Sequence, residues 1–424
     1  MSWMGIYKSW GISMIDNLPN DWKIDIVKNH CKITTGSKNT QDAIKDGDYP
    51  FFVRSQTIES INSFSFDGEA VLTAGDGVGV GKVFHYINGK FDYHQRVYNM
   101  HSFSNQLDGK FFYLYFKNNF DKQVQAGSAK TSVDSVRLEM ISLMPLPLPN
   151  LKEQQKIAKI LTSVDESIEA TNKIILKQKR VKTALMQDLL TRGIDVNGNI
   201  RSEETHEFKD SVLGRIPKEW NCLNFENNID LIDGDRGSSY PNEKELFKDG
   251  YCLFLSAKNV TKNGFKFINK QFISKEKDMK LGKGKLVLND IILTTRGTVG
   301  NVVLYNYKIH FSNIRINSGM LIIRLKTNVI NIDFLYLLFE SRILKNQVES
   351  VVFGSAQPQL TVKEIEKFKF IFPKLKDEQE KISNILSKQD EAIEQEEQKL
   401  QKLQRVKKAL MQDLLTGKVR VNYE

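Results

Sequence analysis

The chain has 424 residues, of which 40% are hydrophobic and 26% charged, which excludes a disordered chain and predicts about two to four folded domains. A net charge of +10 favours a polyanionic partner. Three scattered cysteines without C-x-x-C spacing exclude a zinc ribbon, and no apolar run is long enough for a signal or a membrane span. We therefore expect a soluble cytoplasmic protein with reduced thiols and no membrane partner.

The first part of the chain predicts a mixed α/β domain. Residues 1–16 form an N-terminal tail without a pattern, and a globular segment is predicted over residues 17–149, opening at Leu18-Pro19-Asn20-Asp21-Trp22. β-rich runs bounded by glycine, asparagine and aspartate follow, such as Tyr49-Pro50-Phe51-Phe52-Val53. An aromatic-rich run over residues 111–120 predicts a short helix packed on the sheet.

A long helix is predicted inside residues 150–198. Asn150 and Glu153 are spaced as in a capping box, and Gly193 stands where helices commonly end. Apolar residues recur at helical spacing between them. A helix of roughly 38 residues is about 57 Å long, which exceeds what one domain needs for its own core. Its apolar stripe therefore predicts a partner helix.

The second part of the chain repeats the first. After a linker over residues 199–215, a second globular segment is predicted over residues 216–373 and a second helical segment over residues 374–424. The second domain opens with Ile216-Pro217-Lys218-Glu219-Trp220, like the first. Two shorter matches fall in the same order: Asp76-Gly77-Val78-Gly79 with Arg296-Gly297-Thr298-Val299-Gly300, and Gly127-Ser128-Ala129 with Gly354-Ser355-Ala356.

The repeat is strongest in the helices. Residues 153–191 and 378–416 lie 225 positions apart, and 22 of the 39 paired residues are identical, too many for two helices that merely share an apolar stripe. A two-fold axis between the copies would reverse one helix onto the other. We expect an α+β fold with two mixed α/β domains separated by two long antiparallel coiled-coil helices, an internal duplication with pseudo-two-fold symmetry. The alternative is that each helix packs only on its own domain.

Common catalytic and metal-binding motifs are missing from the sequence. The glycine run from Gly75 to Lys82 is not a phosphate loop, because Asp76 replaces the first required glycine and Val83 follows the lysine. The chain also lacks G-x-S-x-G, H-E-x-x-H and an Asn-Pro-Pro or Asp-Pro-Pro followed by an aromatic residue, and its histidines show no metal-ligand spacing. We predict a non-catalytic chain without a metal site, in which the glycine run is a turn that passes close to other backbone.

The helix entry carries a resemblance to a known family. Pro149-Asn150-Leu151-Lys152-Glu153-Gln154-Gln155-Lys156-Ile157 leads into a helix that ends in Leu-Met-Gln-Asp-Leu-Leu-Thr, and the chain does this twice. In this it resembles the specificity subunit of type I restriction-modification systems, from Leu18 to about Asn422. The second copy departs by one inserted residue after Pro373.

The resemblance implies a non-catalytic, sequence-specific subunit that binds double-stranded DNA. Each of two target recognition domains would select one half of a split target, and the repeated helices would set the spacing and dock two methylation subunits. Those subunits would methylate adenine with S-adenosylmethionine and would in turn bind ATP-driven restriction subunits. S-adenosylmethionine, ATP and Mg would belong to these partners, and none to this chain.

Candidate DNA contacts are hydrogen-bonding side chains in loops that begin or follow strands, where base edges in a major groove could be reached. Phe51-Phe52-Val53-Arg54 and Leu253-Phe254-Leu255-Ser256 are predicted to be corresponding strands that lead into such loops. Each candidate could instead form a surface ion pair or a turn. The candidates are Lys38, Asn39, Arg54, Ser55, Gln56 and Arg96 in the first domain, and Arg236, Ser238, Ser256, Lys258, Asn259, Arg296, Arg315, Gln357 and Gln359 in the second.

Two other functions remain open from the residues alone. One is a non-catalytic coiled-coil adaptor whose domains bind only proteins. The other is an enzyme with an unfamiliar arrangement of active-site residues.

Overall fold

The computed structural model of the chain describes residues 18–128, 135–226, 228–352 and 359–422. The predicted tail over residues 1–16, Ala129 and the Gly354-Ser355-Ala356 match lie outside these residues. The chain divides into two compact units, Met1–Lys173 with Glu397–Glu424, and Ile174–Glu396. Each unit therefore contains one globular domain, the beginning of the long helix that follows it, and the end of the other long helix.

The first unit is built on a six-stranded sheet with strand order β2-β7-β5-β6-β3-β4. Its pairs are antiparallel except for the parallel pair of β3 with β6, and β1 pairs separately with β8. The strands are β1 (Lys23–Ile26), β2 (Lys32–Thr35), β3 (Tyr49–Phe52), β4 (Glu59–Ile61), β5 (Phe66–Ala74), β6 (Phe84–Tyr93), β7 (Val97–His101) and β8 (Pro145–Leu148).

The aromatic-rich run of this domain forms its core. It lies in helix α1 (Gly109–Ser128), which is followed by the short helix α2 (Leu138–Ser142). Phe116 and Phe120 are fully buried, and Phe84 of the sheet meets both rings edge-on, at centroid distances of 5.7 and 6.3 Å. The predicted packing of this helix on the sheet is confirmed.

The second unit has a four-stranded sheet of order β12-β20-β17-β18 and a three-stranded sheet of order β16-β13-β19. The pair β13 with β19 is parallel, and β9 with β10, β11 with β21, and β14 with β15 are antiparallel. The strands are β9 (Phe208–Ser211), β10 (Gly214–Pro217), β11 (Trp220–Asn224), β12 (Ile229–Asp233), β13 (Cys252–Leu255), β14 (Val260–Thr261), β15 (Gly264–Phe265), β16 (Phe272–Ile273), β17 (Ile291–Thr294), β18 (Val302–Leu304), β19 (Ile314–Ile316), β20 (Met320–Leu325) and β21 (Lys369–Pro373).

Two long helices and four shorter ones follow the first domain along the described part of the chain. The long helix α3 spans Leu151–Leu189, α8 spans Lys376–Leu414, and each has 39 residues. Between them lie α4 (Lys275–Lys280), α5 (Ile332–Glu340), α6 (Arg342–Val352) and α7 (Val362–Glu366). In α5, Phe334 and Phe339 are buried against Trp220 and Phe225, which matches the use of the aromatic run in the first unit.

Each long helix ends in the core of the other domain. In the first unit, Leu414 of α8 belongs to one apolar cluster with Ile157 of α3 and residues of the first domain. In the second unit, Leu189 of α3 belongs to one cluster with Ile382 of α8 and residues of the second domain. This packing contradicts the alternative in which each helix packs only on its own domain.

The repeated glutamine fixes the start of each long helix to its domain. The Gln154 side chain donates to the carbonyl oxygens of Gln106 and Pro149 and accepts from the backbone N–H of Asp108. Gln379 makes the same three bonds, to Val329, Pro373 and Asn331. Both glutamines are fully buried, so the repeat of Glu-Gln at the two helix starts has a structural cause.

We expect Gln379→Leu to lower the free energy of unfolding by about 2 kcal/mol or more, because the apolar side chain leaves one N–H and two carbonyl groups without their partner. Urea unfolding of the full chain measures this. Gln401→Leu, at an exposed position of the same helix, is the matched control and should change the value by less than about 0.5 kcal/mol. Equal unfolding midpoints for the two variants would contradict the structural role of Gln379.

The glutamate before each glutamine joins a tryptophan and an arginine. Glu153 accepts from Trp22 Nε1 at 3.3 Å and from Arg420 at 2.7 and 2.8 Å. In the second unit, Glu378 accepts from Trp220 Nε1 at 3.3 Å and pairs with Arg201. The arginines come after the ends of α8 and α3, so these clusters attach the segment that follows each helix to the other domain.

A glycine follows the end of each long helix, at Gly193 as predicted and at Gly417, and both glycines lie against these clusters. Gly193 has φ +65° and Gly417 has φ +69°, a backbone conformation that favours glycine. A Cβ atom on Gly417 would lie 2.5 Å from the ring of Pro19, and one on Gly193 would collide with Glu378. Both positions therefore require glycine for space as well as for conformation.

The cysteines are free thiols, and two of them are buried core residues. Burial raises the pKa of Cys31 and of Cys252 to about 12, whereas Cys222 is half-buried. Among the described residues, no helix is long and apolar enough to cross a membrane.

Candidate nucleic-acid interface

In the first unit, three loops meet where the parallel strands β3 and β6 end. Parallel strands end at the same edge of a sheet, so the loops after both strands lie side by side. The N–H of His94 donates to the carbonyl of Phe52 at 2.9 Å, and that of Gly75, after β5, donates to Arg96 at 2.8 Å. Polar loops held on a rigid sheet edge are suited to binding. Residues 38–39 join these loops, because Lys38 forms a bridge to His94. We call this edge the first corner, consisting of residues 38–39, 54–56, 75–79 and 94–96.

Asp76 joins two of the predicted DNA contacts in the first corner. Its Oδ1 lies 2.9 Å from Nη1 of Arg54, and its Oδ2 lies 3.0 Å from Nη1 of Arg96. The side chains of Arg54 and Arg96 are 44% and 62% exposed, whereas that of Asp76 is 16% exposed. The carboxylate therefore holds two exposed guanidinium groups close together. Asp76 was not predicted as a site residue, although its place in the duplicated glycine turn was a usable signal.

The other predicted residues of this domain surround the same corner. Gln95 connects them, because its N–H donates to the carbonyl of Lys38 at 2.8 Å and its side chain donates to Asn39 Oδ1 at 2.5 Å. Ser55 and Gln56 are exposed in the loop after β3. The structure thus brings all six predicted residues of the first domain to one edge.

Close packing of backbone shapes the first corner, as predicted for the glycine run. A Cβ atom on Gly79 would lie 2.5 Å from the carbonyl oxygen of Arg54, so only glycine lets these loops approach. His94 supports the neighbouring loop, since its Nδ1 accepts from the N–H of Arg96 at 2.9 Å. Burial lowers the pKa of His94 and the charge of Arg54 lowers it further, which favours the neutral, accepting ring.

The second unit has an equivalent edge at the ends of β13 and β19. There Arg296 forms a bridge to Gln359, and the N–H groups of Thr295 and Arg296 both donate to the carbonyl of Gly319. Arg236 pairs with Asp233 at 2.9 Å at the same edge and donates to the carbonyl of Ser318. We call this edge the second corner, consisting of residues 236–238, 256–258, 295–297, 317–319 and 359.

Four further predicted residues of the second domain lie in or beside this corner. Ser238 and Lys258 are exposed, and Ser256 is half-buried at the start of the turn that contains Lys258. Asn259 is buried and holds that turn, because it accepts from the N–H of Ser256 and donates to the carbonyls of Lys266 and Asn269. Asn259 therefore has a structural role, and we leave it out of the proposed interface.

Arg315 is also left out of the interface, although its sequence position suggested a contact. Its side chain is buried, with Nε 2.5 Å from Asp278 Oδ1 and Nη1 2.6 Å from the carbonyl of Lys283. A guanidinium that is enclosed in this way stabilises the fold and is not available to DNA. Gln357 lies outside the described residues, so its predicted role stays a prediction.

Matching backbone hydrogen bonds give the register between the two corners. Asn317 donates to Leu255 as His94 donates to Phe52, and Thr295 donates to Gly319 as Gly75 donates to Arg96. The predicted strand correspondence was therefore wrong by one residue, and Arg54 corresponds to Ala257 instead of Ser256. Strands buried on both faces lack the polar alternation that would fix their register in a sequence comparison.

Side chains at equivalent corner positions differ in charge. Asp76 corresponds to Arg296, and Arg96 corresponds to Gly319. In the first corner, a carboxylate lies between two arginines. In the second corner, an arginine stands at the position of the carboxylate, and no arginine stands at the positions of its two neighbours. The two corners therefore share their backbone hydrogen bonds but present different hydrogen-bonding side chains. Within the described residues, no group of three or more histidine, cysteine or carboxylate side chains is placed to hold a metal ion.

One curated relative matches almost the whole chain, and another matches about half of it. The chain is 25% identical over 446 residues to the "Type I restriction enzyme MjaVIII specificity subunit" of Methanocaldococcus jannaschii, covering 99% of this chain and 98% of that protein. It is 27% identical over 246 residues to the "Type I restriction enzyme EcoDI specificity subunit" of Escherichia coli, covering 54% of each chain.

Solved structures share the fold. The type I restriction-modification S subunit from M. genitalium has a TM-score of 0.64 at 16% identity and covers 94% of this chain and 97% of its own. A chain from a structure of complex assembly in the type I R-M system has a TM-score of 0.55 at 14% identity, with coverage of 95% and 100%.

A family model agrees with these relatives. The model described as "Type I restriction modification DNA specificity domain" matches residues 19–178 and 224–405, which together are most of the chain and cover most of both domains. The chain belongs to the type I restriction-modification DNA specificity family.

Proposed function

We propose that this chain is the DNA-recognition subunit of a type I restriction-modification complex, and that each of its two domains reads one half of a split duplex target. The observation that supports this proposal is that the first and second corners have the same backbone hydrogen bonds but different exposed side chains. Arg54 and Arg96 in one corner and Arg236 and Arg296 in the other can reach base edges or phosphates. A repeated scaffold with unlike contact groups is suited to two different half-sites.

We further propose that α3 and α8 form an antiparallel coiled coil that sets the distance between the half-sites. In the first unit Lys407 pairs with Asp165, and in the second Lys182 pairs with Asp390 at 2.6 Å. The two pairs are exact counterparts under the 225-residue repeat, as a two-fold relation between antiparallel helices requires. Successive major-groove faces on one side of DNA recur about every 34 Å, so a rod of fixed length selects a fixed spacing.

The partners follow from the same repetition. The relatives are named specificity subunits of type I restriction enzymes, and we propose that this chain binds two methylation subunits and, through them, restriction subunits. Val181 and its repeat counterpart Val406 are exposed to the same extent, so equivalent positions of the two long helices could present similar side chains to two copies of one partner. S-adenosylmethionine, ATP and Mg would be bound by those partners.

Binding of DNA over a salt series tests the proposal against a protein-binding adaptor. For the full chain with its methylation subunits, we expect the logarithm of the affinity to fall linearly with the logarithm of the salt concentration, because phosphate contacts release counterions. An adaptor would bind DNA weakly at every salt concentration, and that result would refute the proposal. Transfer of labelled methyl groups to DNA by this chain alone would instead show an enzyme.

A further inference from the structure

We infer that the first corner recognises guanine, that Arg54 and Arg96 are the side chains that contact it, and that Asp76 is the residue that positions both. The inference rests on the proposed function and adds the base that is read and the groups that read it. It starts from the geometry of the three side chains.

Asp76 uses one nitrogen from each arginine and leaves the others available. Only Nη1 of Arg54 and Nη1 of Arg96 bond to the carboxylate, and the Nε and Nη2 groups of both have no hydrogen-bond partner within the described part of the chain. These two nitrogens form one edge of a guanidinium. That edge matches the N7 and O6 acceptors which guanine presents in the major groove, and this bidentate contact is the commonest specific one made by arginine.

Exposure separates the contacting residues from the positioning residue. Arg54 and Arg96 are exposed and can meet a base, whereas Asp76 is mostly covered and both of its oxygens already accept hydrogen bonds. Asp76 is therefore not placed to accept from cytosine, the base that carboxylates usually contact. Its role is to fix two long side chains in one orientation, which reduces the rotamer freedom that each would lose on binding.

The second corner supports this assignment by contrast. Arg296 stands at the position of Asp76, Gly319 at that of Arg96, and Ala257 at that of Arg54. These three positions of the second corner therefore do not repeat the paired arginines, and Arg236 and Arg296 stand among its other polar groups. A substitution in the first corner should change only the first half-site.

Selection of binding sites from a random duplex library tests the inference, using the full chain with its methylation subunits. The wild-type chain is expected to select guanine at two positions of one half-site, one for each arginine. Arg54→Ala and Arg96→Ala should each reduce the preference for guanine at one position by roughly tenfold to a hundredfold. Asp76→Asn, which keeps the shape and removes the charge, should weaken the preference at both positions. The other half-site is the internal control for folding and should be selected as before.

Two results would overturn the inference. The first is the result expected if Arg54 and Arg96 contact phosphates. Substituting either arginine then weakens binding to every sequence equally and lowers the salt dependence of binding. Asp76→Asn then strengthens binding to every sequence, because it removes a charge that repels the phosphates. If wild-type selection gives a half-site whose guanines do not respond to the three substitutions, other residues read that half-site. A wild-type chain that selects no sequence at all would refute the proposed function itself, which separates the two failures. Arg296→Ala should alter only the second half-site.

Discussion

Glu378→Ala is expected to lower the free energy of unfolding by about 3 to 5 kcal/mol, because the substitution leaves a buried guanidinium without its carboxylate. The Arg201 side chain is 9% exposed and bonds to Glu378 at 2.5 and 3.1 Å. Trp220 Nε1 and the N–H of Ile194 lose the same acceptor. Denaturant unfolding of the full chain, followed by tryptophan fluorescence, measures the change.

The chain offers a matched control for this variant. Glu219 lies 3.7 Å from the same arginine, but its side chain is 64% exposed, so Glu219→Ala should cost no more than about 1 kcal/mol. The double variant Glu378→Leu with Arg201→Met removes both charges and should be more stable than Glu378→Ala alone. If Glu378→Ala and Glu219→Ala unfold at the same denaturant concentration, the cluster does not hold α8 and the segment after α3 together.

Lengthening both long helices is expected to change the spacing of the DNA target. Seven residues inserted after Lys173 and seven after its repeat counterpart Gln398 add about two turns to each helix. Two turns keep the apolar stripe on the same face and would lengthen the proposed coiled coil by about 10 Å. At about 3.4 Å per base pair, the selected half-sites should move apart by about three base pairs. The original target should bind at least about a hundredfold more weakly, since one half-site loses several base contacts.

A control for the lengthened chain uses the same seven residues elsewhere. Inserted after the exposed Glu204, in the segment between α3 and the second domain, they leave both helices unchanged and should leave the spacing unchanged. A folded chain with longer helices that still selects the original spacing would show that the helices do not determine it.

The long helices could be predicted from the sequence because local rules define them. A capping residue, helical apolar spacing and a terminal glycine predicted a helix after Asn150 and before Gly193, and α3 spans Leu151–Leu189. Gln154 could be recognised from the sequence as part of a repeated motif, but its structural role could not be predicted. Its three hydrogen-bond partners lie up to 48 residues away along the chain, and only the folded domain brings them to it.

The candidate site could be predicted only in part, for the same reason. Arg54 and Arg96 are distant in sequence and meet because β3 and β6 pair in parallel, a topology that no local pattern specified. Asp76 was missed because its importance depends on that meeting. Arg315 was predicted to lie in a loop beside a strand, whereas it lies within β19, and Asp278, which is distant in sequence, covers its side chain in the fold.

Site selection with the wild-type complex measures the central claim most directly. Duplexes recovered from a random library should share two short, unlike half-sites separated by a fixed number of unspecified base pairs. A single contiguous sequence, or two half-sites recovered at many different spacings, would contradict the account in which two domains read separate half-sites at a distance set by α3 and α8.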